Sequence, residues 1–263
     1  MPEDRVLQVN AHAFRHIPED PKGAVLLLHG ILGAPQYFDF LLPDIPADHA
    51  VCGVLYRGHG GTAAEFASGS VPIWRAQAEN ALLSLPENTP VLIAAHSMGT
   101  LFALELAEKY PGRIADMLLL NVPLVPRLTP SCAGCSVLLA CGYQPLLPRA
   151  AAMRRAYSIA PDANFLHYLP WLPRYLELFA EMHSTMQIMP RMHTHAAAFQ
   201  AVHDELVSPK TLPLLADNPA LHLHILRDSS HFYYPAADRG RILRAWRHMI
   251  RKSEGRSPLD HKT

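Results

Sequence analysis

The chain is short of charge, of cysteine and of long apolar runs. Only 17% of its 263 residues are Asp, Glu, Lys or Arg, against about 25% in a typical soluble domain. Its 23 basic and 23 acidic side chains cancel to a formal net charge of +0. That balance leaves no basic footprint of the kind nucleic-acid binding requires. Four cysteines in a chain of this length do not make a disulfide framework. Cys132-Ala-Gly-Cys135, with Cys141 nearby, resembles half a metal site, yet no second cysteine pair completes a four-ligand zinc set. The pair also lacks the strand-to-helix setting of a redox motif, so these cysteines read as small packing residues. No apolar run approaches the ~20 residues needed to span a bilayer. The start, Met1-Pro-Glu-Asp-Arg5, lacks the cationic and then apolar parts of a secretory signal. The expectation is a soluble, cytoplasmic protein without metal or cofactor.

What is abundant is apolar: 49% of the residues, enough for a sizeable core in one large domain or a domain with an insertion. Strand-like and helix-like stretches alternate. Residues 5–10 and 12–16 suggest an opening hairpin, and 24–29 and 50–56 read as strands. A short helix is expected at 35–42 and a longer one, with helical apolar spacing, at 73–85. Then follow a strand at 91–95, a helix at 98–110 and a strand at 114–120. Such alternation implies a mainly parallel sheet flanked by helices. After Asn121 the pattern breaks into a stretch rich in Pro, Leu, Met and aromatics, helical at 173–189. It resumes with strands at 195–202 and 221–226 and helices at 209–216 and 237–250. The division expected is a first core half at 1–121, an insertion at 122–192, a second core half at 193–251 and a polar tail at 252–263.

The most telling stretch is Ala95-His96-Ser97-Met98-Gly99, placed where a strand turns into a helix. A serine between small residues at such a turn suits a nucleophile elbow, usually Gly-x-Ser-x-Gly, with Ala95 standing for the first glycine. Read blandly, Ser97 only caps the following helix. A weak hydroxyl nucleophile needs a base, and the base needs an orienting group. Loops after the last two strand candidates offer both: Asp204 in Val-His-Asp-Glu205, and His231 in Asp228-Ser-Ser-His231. Asp204 is the candidate orienter, with Glu205 as a possible substitute, and His231 the candidate base. The loop after 114–120 ends in Asn121 and supplies no carboxylate. His29-Gly30-Ile31-Leu-Gly33 follows the first buried strand, where the Ile31 amide, with that of Met98, could hold an oxyanion. The pairs His193/His195 and His222/His224 lack an obvious third ligand and read as surface or packing residues. Arg57-Gly-His-Gly60 lacks the ending of a phosphate-binding loop.

With the His29-Gly30 loop, Arg57-Gly-His-Gly60, the Ser97 elbow, His203-Asp204 and Ser230-His231 in that order, the chain resembles the α/β-hydrolase superfamily. Within it, the small bacterial carboxylesterases and monoacylglycerol lipases are the nearest likeness. The resemblance, over about residues 24–250, implies an α/β-hydrolase fold with an inserted helical cap between the sixth and seventh strands. It also implies cofactor-free cleavage of a small-molecule acyl ester. Ser97, Asp204 and His231 match the triad positions, and Ile31 and Met98 the oxyanion positions. Ala95, and Thr100 where many relatives carry glycine, depart from the pattern. An aromatic and aliphatic cluster from Phe165 to Phe179, continued by Met182, Met186 and Met189, would line an acyl-chain cleft or pack the insertion onto the core. Two rival readings stay open: an acyl thioesterase, and a hydrolase fold kept as a binding module. A dehalogenase would need a carboxylate where Ser97 stands.

Overall fold

A computed structural model describes residues 11–254, leaving aside positions 128 and 144 and the side chain of Ser131. Its strands are β1 (Phe14–His16), β2 (Gly23–Leu28), β3 (His49–Val54), β4 (Val91–His96), β5 (Ile114–Leu120), β6 (Ala196–Ala201) and β7 (Leu221–Leu226). The α-helices are α1 (Ala63–Ala67), α2 (Val71–Leu83), α3 (Met98–Lys109), α4 (Pro130–Ala140), α5 (Pro148–Ala156), α6 (Leu172–Ile188), α7 (Thr211–Ala216) and α8 (Ala236–Glu254). The strands form one sheet in the order β1-β3-β2-β4-β5-β6-β7. β1 runs antiparallel to β3, and every other pairing is parallel. The hairpin partner expected for β1, residues 5–10, lies outside the described residues.

The central strands are apolar throughout because both faces are covered. On β2, Ala24, Leu26 and Leu28 face one layer with Trp74, Leu101 and Phe102. Val25 and Leu27 face the other with Phe38, Trp246 and Ile250. The period of two thus splits a continuous apolar run between two cores. Since six strands are parallel, their carboxyl ends meet at one rim, where loops collect functional groups.

Two stretches differ from expectation. Residues 35–42 form no α-helix but two 3₁₀ turns, Pro35–Phe38 and Leu42–Asp44. Pro43 lies inside the second turn, where its missing N–H bars an α-helical bond back to Asp39. The insertion lies between the fifth and sixth described strands, β5 and β6, rather than the sixth and seventh, and holds α4 and α5 as well as the expected α6. α4 follows a recognisable start, Thr129-Pro130, with the Thr129 side chain accepting from the Cys132 amide. Its interior is apolar on every side, so no 3.6-residue stripe betrays it. No helix among the described residues is long and apolar enough to cross a membrane.

Candidate active site

Ser97 stands between β4 and α3 with φ 50° and ψ −123°, a strained region for an L residue that costs about 1–3 kcal/mol. Its amide donates to the Leu120 carbonyl at 2.9 Å, tying the turn to β5. Close approach is what the small neighbours provide. A Cβ on Gly99 would lie 2.0 Å from the Leu28 carbonyl oxygen, and one on Gly30 would lie 2.9 Å from Ser97 Cβ. The two departures from the motif are accommodated. Ala95 is fully buried between Leu28 and Leu119 of the neighbouring strands. The Thr100 hydroxyl donates to the Ser97 carbonyl at 2.6 Å.

Ser97, Asp204 and His231 follow β4, β6 and β7, and the rim brings them together. Ser97 Oγ lies 3.0 Å from His231 Nε2, and His231 Nδ1 lies 2.8 Å from Asp204 Oδ2. A carboxylate can only accept, so the proton belongs on Nδ1 and leaves Nε2 free to accept from the serine. The other carboxylate oxygen, Oδ1, accepts the Leu206 and Val207 amides at 2.8 and 2.7 Å. Those bonds fix the carboxylate in a pocket where Asp204 and His231 are buried. Glu205 is not beside the imidazole: it accepts the backbone N–H of His231 at 3.0 Å. The Ile31 and Met98 amides lie on the loop after β2 and at the start of α3. Neither has an acceptor among the described residues.

Several positioning residues escaped the sequence reading. Asn121, at φ 55°, donates through Nδ2 to the His231 carbonyl at 3.0 Å and accepts the Ala201 amide at 2.9 Å. It therefore ties the ends of β5 and β6 to the His231 loop. Sequence reasoning noted Asn121 only as a missing carboxylate; its tolerance of left-handed backbone was the available signal. His96 Nε2 donates to the same His231 carbonyl at 3.0 Å, and its ring stacks on Tyr37 at 4.1 Å. His59 Nε2 accepts the Leu32 amide at 3.1 Å, and His29 Nε2 accepts that of Tyr56 at 3.3 Å. Ser158 donates to the Leu32 and Gly33 carbonyls at 3.0 and 2.7 Å. Leu32 has φ 62°, so His59 and Ser158 hold a strained turn beside Ile31. Burial holds these imidazoles neutral: it pushes His29 down to about 4, and His59 and His96 well below the usual histidine range.

Other candidates go elsewhere. His195 Nδ1 meets Asp116 at 2.6 Å and its ring contacts His222, while His224 stacks on Phe199. Among the described residues no group of three His, Cys, Asp or Glu side chains is placed to hold a metal. Cys132 packs with Leu139 and Met153, and burial raises its thiol to about 11. Two cavities lie near the rim. One of about 1010 Å³ is bounded by α4, α5, Asp204, Ser230 and Phe232. One of about 480 Å³ is bounded by Leu32, α4 and the stretch from Arg154 to Tyr175. Ser97 lines neither, but Asp204 lines the first and Leu32, next to Ile31, lines the second.

A family model described as alpha/beta hydrolase fold matches residues 23–181, from the start of β2 into α6. The chain belongs to the alpha/beta hydrolase fold family. Solved structures of this hydrolase fold align along nearly the whole chain. One, from work on the metagenome-derived lipolytic enzymes LipS and LipT, has a TM-score of 0.71 at 23% identity, covering 93% of this chain and 98% of that one. The monoacylglycerol lipase of Paleococcus ferrophilus has a TM-score of 0.62 at 16% identity, covering 91% and 99%. A thioesterase domain from the curacin biosynthetic pathway aligns at 0.56 and 18%, covering 92% and 93%. A curated relative, a pimeloyl-[acyl-carrier protein] methyl ester esterase of Aromatoleum aromaticum, is 33% identical over 97 residues, 37% of this chain. The match spans 36% of that relative's length.

Proposed function

We propose that this hydrolase cleaves carboxylic esters of small to medium acyl chain through an acyl-enzyme on Ser97, with monoacylglycerols among the candidate substrates. The observation that carries the reading is the unbroken series of hydrogen bonds from Ser97 Oγ through His231 to Asp204. His231 takes the Ser97 proton as the oxygen attacks the ester carbonyl, and returns it to the departing alcohol. Asp204 holds the ring and stabilises the imidazolium. The Ile31 and Met98 amides are free to receive the oxyanion. Water, activated by the same imidazole, then releases the acid. Residues 122–192 act in this scheme as a cap that shapes the acyl site. The esterase named above supports ester chemistry over the stretch it shares with this chain.

The test is hydrolysis of p-nitrophenyl esters by the wild type and Ser97→Ala, with acyl-CoA turnover measured alongside. The variant is expected to lose about 10⁴- to 10⁶-fold in kcat. Equal rates would remove Ser97 as nucleophile, and a preference for acyl-CoA would move the reading to a thioesterase. A fluorophosphonate probe that labels wild type but not Ser97→Ala supports the activated serine; absence of labelling favours a binding module.

A further inference from the structure

Arg154 is a buried cation that no carboxylate reaches among the described residues. It sits on α5, 7% exposed, and its Nε and Nη2 are shielded from solvent with no hydrogen-bond partner among the described residues. Arg75, Arg174 and Arg247, by contrast, each reach a carboxylate. A guanidinium stays charged at any working pH, and taking it out of water unpaired is among the costliest arrangements in a fold. Such a group calls for an explanation.

Its surroundings supply one. Arg154 lines the cavity of about 480 Å³ with Leu32, Tyr157, Tyr168, Trp171 and Tyr175. No Asp or Glu is among the described residues that line it. The volume falls within the range of small-molecule sites. One permanent cation in an apolar, aromatic-walled space is complementary to a ligand with an apolar body and one anionic end. Burial pushes the Tyr157 and Tyr175 phenols up, Tyr175 to about 12, so both keep their protons as donors. The cavity also abuts the proposed centre: Leu32 follows Ile31, and Ser158, just past α5, bonds the Leu32 and Gly33 carbonyls.

We propose that Arg154 is a specificity-determining residue that receives a carboxylate carried by the substrate away from the ester being cleaved. This deepens the esterase reading above and rests on it. The remote carboxylate stays chemically unchanged while the ester is cleaved, and belongs either to the acyl or to the alcohol portion.

The experiment compares matched pairs on purified protein. The acyl arm sets p-nitrophenyl hydrogen adipate against p-nitrophenyl hexanoate, and repeats the pair at other chain lengths. The alcohol arm sets the acetate of an ω-hydroxy carboxylic acid against the acetate of the plain alcohol. In wild type the charged member of one pair is expected to lead in kcat/KM by about 10- to 100-fold. Arg154→Met should bring that ratio to about one, and Arg154→Lys should keep part of it, because an ammonium retains charge but not the fork. Arg154→Met should also hold or raise Tm, since it removes an unpaired buried charge, whereas a structural arginine would lower it. Should Arg154→Met fail to fold, the Arg154→Lys ratio decides. Neutral esters that match or beat their charged partners in wild type, or a ratio that Arg154 variants leave unchanged, overturn the proposal. Should wild type cleave no ester, the esterase reading falls alone. Calorimetry of adipate against hexanoate on Ser97→Ala, with and without Arg154→Met, then decides the anion site: tighter adipate binding that needs Arg154 supports it, and equal binding overturns it.

Discussion

Strand β2 and the segment between β5 and β6 are both rich in apolar residues but spend them differently. All six residues of β2 are buried. In the β5–β6 segment Leu146 is 93% exposed, and Leu166, Leu169 and Leu172 stand open as well. β2 is over-determined, since it is fixed by register against β3 and β4 and by packing on both faces. The segment joins the same apolar core through Trp171, Leu178, Met182 and Met189, leaves its outer face open, and adds polar ties. Ser158 bonds Leu32, Gly33 and the Gly60 amide, Trp171 Nε1 donates to the Ala63 carbonyl at 2.8 Å, and Glu177 accepts the Val71 amide at 2.8 Å. The reacting groups proposed above thus follow strands of the sheet, while most residues that line the cavities belong to the segment with the open outer face. That division lets cavity shape vary without moving Ser97.

Asp204→Asn bears hardest on the rigid side. The amide can no longer serve as a pure acceptor for Nδ1–H, so the imidazole tautomer is disturbed, and kcat is expected to fall about 10⁴-fold with the fold intact. Steady-state kinetics and circular dichroism check both halves. Leu27→Ala, at a fully buried β2 position, should cost about 2–5 kcal/mol in urea unfolding. Asn121→Ala leaves the Ala201 amide unpaired and the His231 carbonyl with His96 alone, at about 1–3 kcal/mol. It should lower kcat more than it raises KM, because it moves the His231 loop rather than the substrate walls.

Acid should loosen the rim as well. The folded pKa of His29 is about 4, below the ~6.5 of an unfolded chain. The unfolded state therefore binds the proton first, and the stability tied to the neutral ring is whole above pH 6.5 and is lost as pH falls towards 4. At pH 5 His29 alone accounts for about 2 kcal/mol, with His59 and His96 acting in the same direction. Urea unfolding at pH 7 and pH 5 should show the loss, and His29→Gln should reduce it. The smallest effect belongs to the segment's open face: Leu169→Ser should change stability by less than about 0.5 kcal/mol. A cost near that of Leu27→Ala would mean that this surface is covered in solution, and the contrast between the two regions would collapse.

Legibility followed the same contrast. The runs at 24–29, 91–95 and 114–120 were readable as strands because both-face burial leaves an unbroken apolar signature. Asp204 is findable because it follows the fully buried β6, and His231 because it follows β7, the last strand candidate, where leucine and histidine alternate. The loop at Asn121 is not, since its role depends on hydrogen bonds to residues 80 and 110 positions away. α4 and α5 escaped because neither carries a clean apolar stripe. The aromatic and methionine cluster was treated as one set, yet the fold splits it: Trp171, Met182 and Met189 are buried, while Leu176 and Phe179 face outward. Arg154 carries no sequence signal, because one arginine in a polar helix such as Pro148–Ala156 resembles any solvated surface charge.

Ser158 has a consequence for traffic through the molecule. Its hydroxyl is shared among the backbone at Leu32, Gly33 and Gly60, so it acts as a rivet between the overlying helices and the turn that carries Ile31. In the esterase proposed above, a motion that lifted residue 158 would drag that turn along and displace the Ile31 amide from the oxyanion it is proposed to hold. On that reading, passage for substrate and product opens around the rivet rather than at it.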